Sequence, residues 1–275
     1  MLNEVLKEEI QTAYSELLEH QNFRPRECQK TMIAEIARTI ALVEEEPNQV
    51  CVVEAGTGTG KTMAYILATI PVAKHLKKKI VVATATVALQ EQLVLQDLPT
   101  IREHSGLNFS YALAKGRRRY LCLSRLDLML QEPNATSHSL SLFGDKTADR
   151  ESDGIFQEMI DRLGRGEWDG DRDTWPDEID SSVWSRVSTD HAQCTQRQCS
   201  HYDNCYFYRA RETIHRVDCI VTNQDLVLSD LMMGGGAVLT APEDSIYVFD
   251  ECHHLPEKAG SHFSKGLFIY ATRAW

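Results

Sequence analysis

The stretch Glu54-Ala55-Gly56-Thr57-Gly58-Thr59-Gly60-Lys61-Thr62 limits what this chain can fold into more than any other. An apolar run, Val50-Cys51-Val52-Val53, precedes it, and a helical pattern follows from Lys61 to about His75. Strand, glycine-rich loop and helix together are the setting of a phosphate-binding loop. The glycines let backbone N–H groups converge on a β-phosphate, and the helix N-terminus adds its positive end. In this reading Ala55, Gly56, Thr57, Gly58, Thr59, Gly60, Lys61 and Thr62 line an ATP site. Lys61 reaches the β/γ oxygens and the Thr62 hydroxyl binds Mg²⁺. Ala55 stands where the general G-x-x-x-x-G-K-[ST] pattern has its first glycine. A dinucleotide fingerprint is excluded, because Gly56, Gly58 and Gly60 give G-x-G-x-G followed by lysine.

The complementary motif is Val248-Phe249-Asp250-Glu251-Cys252-His253. A carboxylate ending a buried strand is placed to hold Mg²⁺, directly or through water, which is the role for Asp250. Glu251 beside it can polarise the attacking water. Alone, Asp-Glu after an apolar run is an ordinary solvated strand end. Paired with the phosphate loop it makes Lys61, Asp250 and Glu251 the catalytic set of an NTPase.

Around these motifs the pattern is α/β. Leu2, Val5, Leu6, Ala13, Tyr14, Leu17 and Leu18 recur at helical spacing, Arg24-Pro25 breaks the helix, and a second one is expected from about Glu27 through Ala41. Pro47-Asn48 turns the chain into Val50–Val53, expected as a buried strand. Ile80–Ala83 reads as a second strand and Ala88–Leu98 as a helix ending before Pro99. Short loops joining these imply a parallel sheet. The character changes after about Tyr111. Between Phe143 and Ser188 acidic residues accumulate, Asp145, Asp149, Glu151, Asp171, Asp173 and Asp180 among them, and strand periodicity is lost. Past Arg216 it returns, with Cys219–Thr222 as a strand, a helix near Asp225–Met232, a break at Gly234-Gly235-Gly236, and Ile246–Phe249 as the last strand. The expectation is one α/β domain, residues 1–110 and 216–275, interrupted by a mostly helical insertion over 111–215.

Eight cysteines need a context. The Glu-rich start has no apolar segment of a signal peptide, and the longest nearly apolar stretch, Tyr65–Ala73, is too short to span a bilayer. A cytoplasmic chain with no membrane contact is expected, so its cysteines read as thiols or ligands. Cys194, Cys199 and Cys205 crowd together and Cys122 stands upstream. Four thiolates suit a [4Fe–4S] cluster, and a Cys₄ zinc site is the rival. Cys28, Cys51, Cys219 and Cys252 are expected in the core, and His201 in a solvated loop. Net charge is −11, so any nucleic acid must be held by a local basic patch. Arg117-Arg118-Arg119 is the clearest one, with Lys115, Arg125, Tyr111 and Tyr120 nearby; a solvated arginine loop is the other reading. Tyr202, Tyr206, Phe207 and Tyr208 suit packing under a cluster.

Together these residues resemble superfamily 2 helicases. Glu54–Thr62 and Asp250-Glu251-Cys252-His253 are similar to the family's motifs I and II, with Cys252 in place of the usual glycine. Phe23-Arg24-Pro25-Arg26 with Gln29 resembles its Q-like motif, which implies that Gln29 contacts adenine. Val82–Thr86 with Leu89 and Gln92 resembles motif Ia, a single-strand contact. The four cysteines narrow the resemblance to the XPD-like iron–sulfur branch and its bacterial DinG-type family, which makes [4Fe–4S] the implied group on Cys122, Cys194, Cys199 and Cys205. The resemblance further implies a RecA-like fold, ATP and Mg²⁺, 5′→3′ movement on single-stranded DNA, and action on forked or looped duplexes as a monomer. Such helicases carry a second RecA-like domain, absent from these 275 residues, so the chain is expected to be the first motor half and to unwind nothing alone. A redox-responsive nucleotide- and DNA-binding module is the alternative. A small-molecule kinase is a weaker third, since it has no use for the cysteines.

Overall fold

The computed structural model describes residues 2–46, 48–131 and 146–264. In chain order the helices are α1 (Glu4–His20), α2 (Glu27–Ala41), α3 (Lys61–His75), α4 (Val87–Gln92), α5 (Leu98–His104), α6 (Leu123–Gln131), α7 (Lys146–Arg165), α8 (Ser181–Val187), α9 (Tyr206–Ile214), α10 (Gln224–Met232) and α11 (Leu255–Phe263). The strands are β1 (Lys79–Thr84), β2 (Tyr111–Leu113), β3 (Cys219–Asn223) and β4 (Ser245–Phe249). The chain divides into two compact units, one formed by Met1–Ala114 with Ile214–Trp275 and the other by Lys115–Thr213.

In the first unit the strands form one parallel sheet in the order β2-β3-β1-β4. Alternation along the strands sends Ile80, Val82, Cys219 and Val221 to one face, against α1, α2, α3 and α5. Val81, Ala83 and Ile220 go to the other, with Val227 of α10 and Leu239. α3 is the central helix of the first face, with Ile66, Leu67 and Ile70 almost wholly excluded from water. Each such side chain contributes about 1.5–3 kcal/mol of burial. Lys77 closes α3 in the left-handed region, and the Lys78 N–H reaches back 2.9 Å to the Ala73 carbonyl, so the chain enters β1 directly.

Two expectations are corrected here. Val50–Val53 is not a buried strand: among the described residues it pairs with nothing, and Val50 and Val52 are 78% and 82% exposed. An apolar run records a preference for burial, but a strand exists only where a neighbour's N–H and C=O groups meet it, and among the described residues β4 pairs only with β1. Nor does the helix after β1 stop at Pro99. The chain widens into a π-helical turn at Leu93–Asp97 and continues as α5. A proline lacks the N–H and crowds the carbonyl four residues back, here Leu95, and the wider turn relieves both. Tyr111–Leu113 adds a strand that the sequence reading passed over, so the sheet extends to Ala114. Of the other expectations, Pro47, Phe143 and Asp145 lie outside the described residues.

The second unit is built on a tryptophan-rich core. Trp168 meets Trp175 and Trp184 edge-on at centroid distances of 4.7 and 6.4 Å, over Leu121, Leu126, Phe156 and Met159. Both inner indole N–H groups are satisfied, Trp168 donating to the Asp171 carbonyl at 2.7 Å and Trp184 to that of Arg118 at 2.6 Å. Lys115 sits on Asp171 and, at 2.8 Å, on Asp173, so part of the acidic segment faces inward as counter-charge.

Candidate nucleotide site and cysteine pocket

The phosphate loop leads into α3 through Gly58 and Gly60, both at positive φ (73° and 81°), a region glycine enters without strain. No side chain caps the helix, so its first N–H groups face the loop. Three groups shape the loop from inside the unit: Arg26 donates to the Gly58 carbonyl at 2.6 Å, Gln29 to that of Thr59 at 2.7 Å, and Thr59 to that of Gly56 at 2.8 Å. Gln29 is buried and its carbonyl accepts from the Tyr14 hydroxyl at 3.0 Å. Both ends of its amide are therefore in use, and an adenine contact takes exchange of one of these bonds.

Lys61 donates to the Ala55 carbonyl at 3.2 Å and forms an ion pair with Glu251 at 3.1 Å. Loop and acidic motif thus meet at the carboxyl ends of the strands, where parallel α/β sheets bind ligands. Asp250 follows β4, its N–H bonded to the Ala83 carbonyl at 2.9 Å, while its carboxylate accepts from the Glu251 N–H at 3.1 Å. Burial, and then the charge of Glu251, raise the Asp250 carboxyl above its usual range. Glu251 is held at φ 52°, an uncommon conformation for a non-glycine residue. The buried Gln224 helps to hold it there, donating at 2.9 Å to the Asp250 carbonyl and at 3.4 Å to that of Glu251. Sequence reading missed Gln224; its place directly after an apolar strand was the available signal.

Tyr65 was also missed. Its ring is buried on α3, and its hydroxyl lies near enough to Thr62 and Asp250 to lower the pKa of the latter, yet outside full hydrogen-bond geometry to either. Burial, followed by the Asp250 charge, pushes the phenol well above its usual range. A buried hydroxyl left unmatched costs about 1–3 kcal/mol. Tyr65→Phe is expected to raise the stability of the ligand-free chain by about 1 kcal/mol in thermal melts; a clear loss would mean that the hydroxyl is bonded after all.

The motif Ia segment lies at the same end of the sheet. Thr86 caps α4, accepting from the Leu89 N–H at 3.3 Å, and Thr86 and Gln92 are exposed. Lys258 of α11 donates to the Ala85 carbonyl at 3.0 Å and to Asp225 at 2.5 Å, so the helix following the acidic motif touches this loop directly.

In the second unit Cys122, Cys194, Cys199 and Cys205 line one concavity with Tyr120, Tyr202, Phe207 and Tyr208. Backbone bonds bring the distant thiol in: Leu121 donates to Gly170 and Cys122 to Val187, each at 2.8 Å. Burial raises the Cys122 thiol, and the three other cysteines raise it further. Among the described residues no three His, Cys, Asp or Glu side chains surround a point closely enough for a single metal ion. Four thiols on one concavity are the donor set that a cuboidal cluster takes, and a Cys₄ zinc site would use the same four. The remaining cysteines divide. Cys219 is buried, its thiol pushed up to about 12, whereas Cys28, Cys51 and Cys252 are exposed, contrary to expectation. Cys28 and Cys51 border the open space beside α2 where no strand forms, and Cys252 sits in the turn after Glu251. His201 is not simply solvated either, since it pairs with Asp127 at 2.7 Å.

The arginines are largely committed. Arg118 pairs with Asp190 at 2.8 Å while its side chain stays 75% exposed, and Arg119 pairs with Asp173. Arg125 donates to Gln193 at 2.8 Å, and Arg117 turns to the cysteine pocket.

A parallel sheet bearing a glycine loop, its lysine and a facing Asp-Glu pair defines a RecA-like P-loop NTPase fold. Residues 26–149 match the family model of DEAD/DEAH box helicases. Over its whole length it is 38% identical to the ATP-dependent DNA helicase DinG of Photobacterium profundum, of which it covers 39%. It is 35% identical to the protein of the same name in Escherichia coli K12 over 94% of this chain and 36% of that one. The Salmonella choleraesuis protein is likewise 35% identical, over 98% of this chain and 38% of that protein. The chain therefore spans well under half the length of these relatives.

Proposed function

We propose that the chain supplies a nucleotide-binding motor domain to an ATP-dependent DNA helicase moving 5′→3′ on single-stranded DNA and opening forked or looped duplexes. The observation that carries this is Lys61 facing Glu251 across the strand ends, with Asp250 and Thr62 beside them. Amides of Gly56–Gly60 and the N-terminus of α3 bind the phosphates. Lys61 exchanges Glu251 and the Ala55 carbonyl for the terminal phosphate, and the released Glu251 carboxylate takes the proton of the attacking water. Mg²⁺, which Thr62 and Asp250 would hold, supplies charge neutralisation at the phosphates. Gln29 follows the loop through Thr59 and on exchange meets the adenine. The contacts of Lys258 join this site to the motif Ia segment, where single-stranded DNA is read. Within the Arg117–Arg119 run Arg118 is the further DNA candidate, because its exposure suits a phosphate, while Arg117 is turned to the cysteine pocket.

The four thiols of the cysteine pocket would hold a [4Fe–4S] cluster, which supplies one-electron redox chemistry and ties the insertion together. Supporting this are the shared concavity and the all-sulfur donor set. Lys61→Ala tests the nucleotide reading. Titration with a fluorescent ATP analogue is expected to show binding about 10- to 100-fold weaker, the loss of one charge-assisted contact. Near-unchanged affinity would sink the assignment of the loop.

A further inference from the structure

We propose that Arg117 is the residue that sets the reduction potential of the cysteine pocket, acting on the Cys194 sulfur; this rests on the reading of the four thiols as cluster ligands. The Arg117 Nη1 donates to Cys194 Sγ at 3.1 Å. Its guanidinium stacks over Phe207 at 4.0 Å and Tyr208 at 5.2 Å from the ring centroids, and Nη2 reaches the Tyr208 hydroxyl at 3.4 Å. Three contacts thus fix one planar cation against one sulfur, an arrangement the fork of arginine suits and a lysine ammonium does not. The Gln196 N–H also donates to this sulfur, at 3.4 Å, but carries no charge.

The charge balance of the segment separates Arg117 from its neighbours. Lys115, Arg118 and Arg119 all lie on aspartates, whose carboxylates cancel most of their field. Arg117, among the described residues, has no carboxylate partner. Its cation is aimed at a thiol and at the negative faces of two rings. A cluster on four thiolates is anionic and gains one more negative charge on reduction. A fixed cation hydrogen-bonded to a ligand sulfur therefore stabilises the reduced form more than the oxidised one, and hydrogen bonds to the sulfurs are among the determinants of such potentials. Arg117 accordingly serves the pocket, and DNA contact in this run falls to Arg118.

The test compares the full chain, purified without oxygen, with its Arg117→Gln and Arg117→Lys variants. Iron and sulfide are counted first. Each protein is then reduced stepwise with dithionite and redox mediators while the reduced-cluster EPR signal is recorded. Arg117→Gln is expected to retain its iron and to shift the oxidised–reduced equilibrium at least tenfold toward the oxidised form, a fall of 59 mV for one electron. Arg117→Lys is expected to shift it less, and single-stranded DNA affinity to drop in Arg118→Gln but not in Arg117→Gln. Full iron with an unmoved midpoint overturns the tuning role alone. Loss of iron from both variants, with the unaltered chain loaded, also overturns it by making Arg117 a structural requirement. An unaltered chain that never holds iron overturns the cluster reading itself.

Discussion

Glu251→Gln is expected to bind ATP–Mg²⁺ at least as tightly as the unaltered chain while hydrolysing it about 10²–10⁴-fold more slowly, the usual loss for a general base. Two consequences of one substitution combine here. The amide cannot accept the proton of the attacking water, so the chemical step loses its base. It also cannot hold Lys61 as an ion pair at 3.1 Å, so the lysine is released toward the phosphates before nucleotide arrives. Binding titrations beside single-turnover hydrolysis with single-stranded DNA present separate the two. Equal losses of binding and turnover would contradict the separate roles of Lys61 and Glu251, and turnover within threefold of normal would remove Glu251 from the chemistry.

The second large effect concerns the cysteine pocket. Replacing any one of Cys122, Cys194, Cys199 or Cys205 by Ser is expected to turn a brown, iron-containing protein colourless, because a cuboidal cluster takes four thiolates. Replacing the buried Cys219 is expected to leave the colour unchanged, since it lies in the sheet of the other unit. Metal binding is also folding free energy. The four bleached variants should therefore become sensitive to protease within 115–213 while the nucleotide-binding unit stays resistant. Retention of colour by a Ser variant at one of the four positions would strike that residue from the ligand set.

How far the sequence carries depends on which signals are local. The glycine loop, the helix after it and the Asp-Glu strand end were legible because each is written in one short continuous stretch and constrained by backbone geometry. Helix α2 was legible to the residue, since Pro25 and the spacing of Met32 and Ile33 mark both its start and its buried face. What failed was whatever needs a partner. Val50–Val53 has the composition of a strand but no neighbour to pair with. Cys28, Cys51 and Cys252 have the chemistry of core residues, yet their burial depends on elements elsewhere. Asp171 and Asp173 were two of many acidic residues in a stretch without strand periodicity, and only the fold shows them answering Lys115 and Arg119. Tyr65 was invisible for the same reason, because nothing in its own neighbourhood names Asp250, and the position of Gln224 after a strand did not say which residue it would hold.

The bare valine run has a mechanical consequence. Among the described residues no strand pairs with positions 50–53, whereas the loop that follows is held at Gly58 and Thr59 by Arg26 and Gln29 of the α2 segment and runs on into α3. The loop is a cantilever, fixed at the lysine end and, before Ala55, joined to no neighbouring strand. Its tip can be redrawn around a triphosphate without breaking a single ladder bond upstream. Stiffness is concentrated where Lys61 must aim, and compliance where the chain must make room.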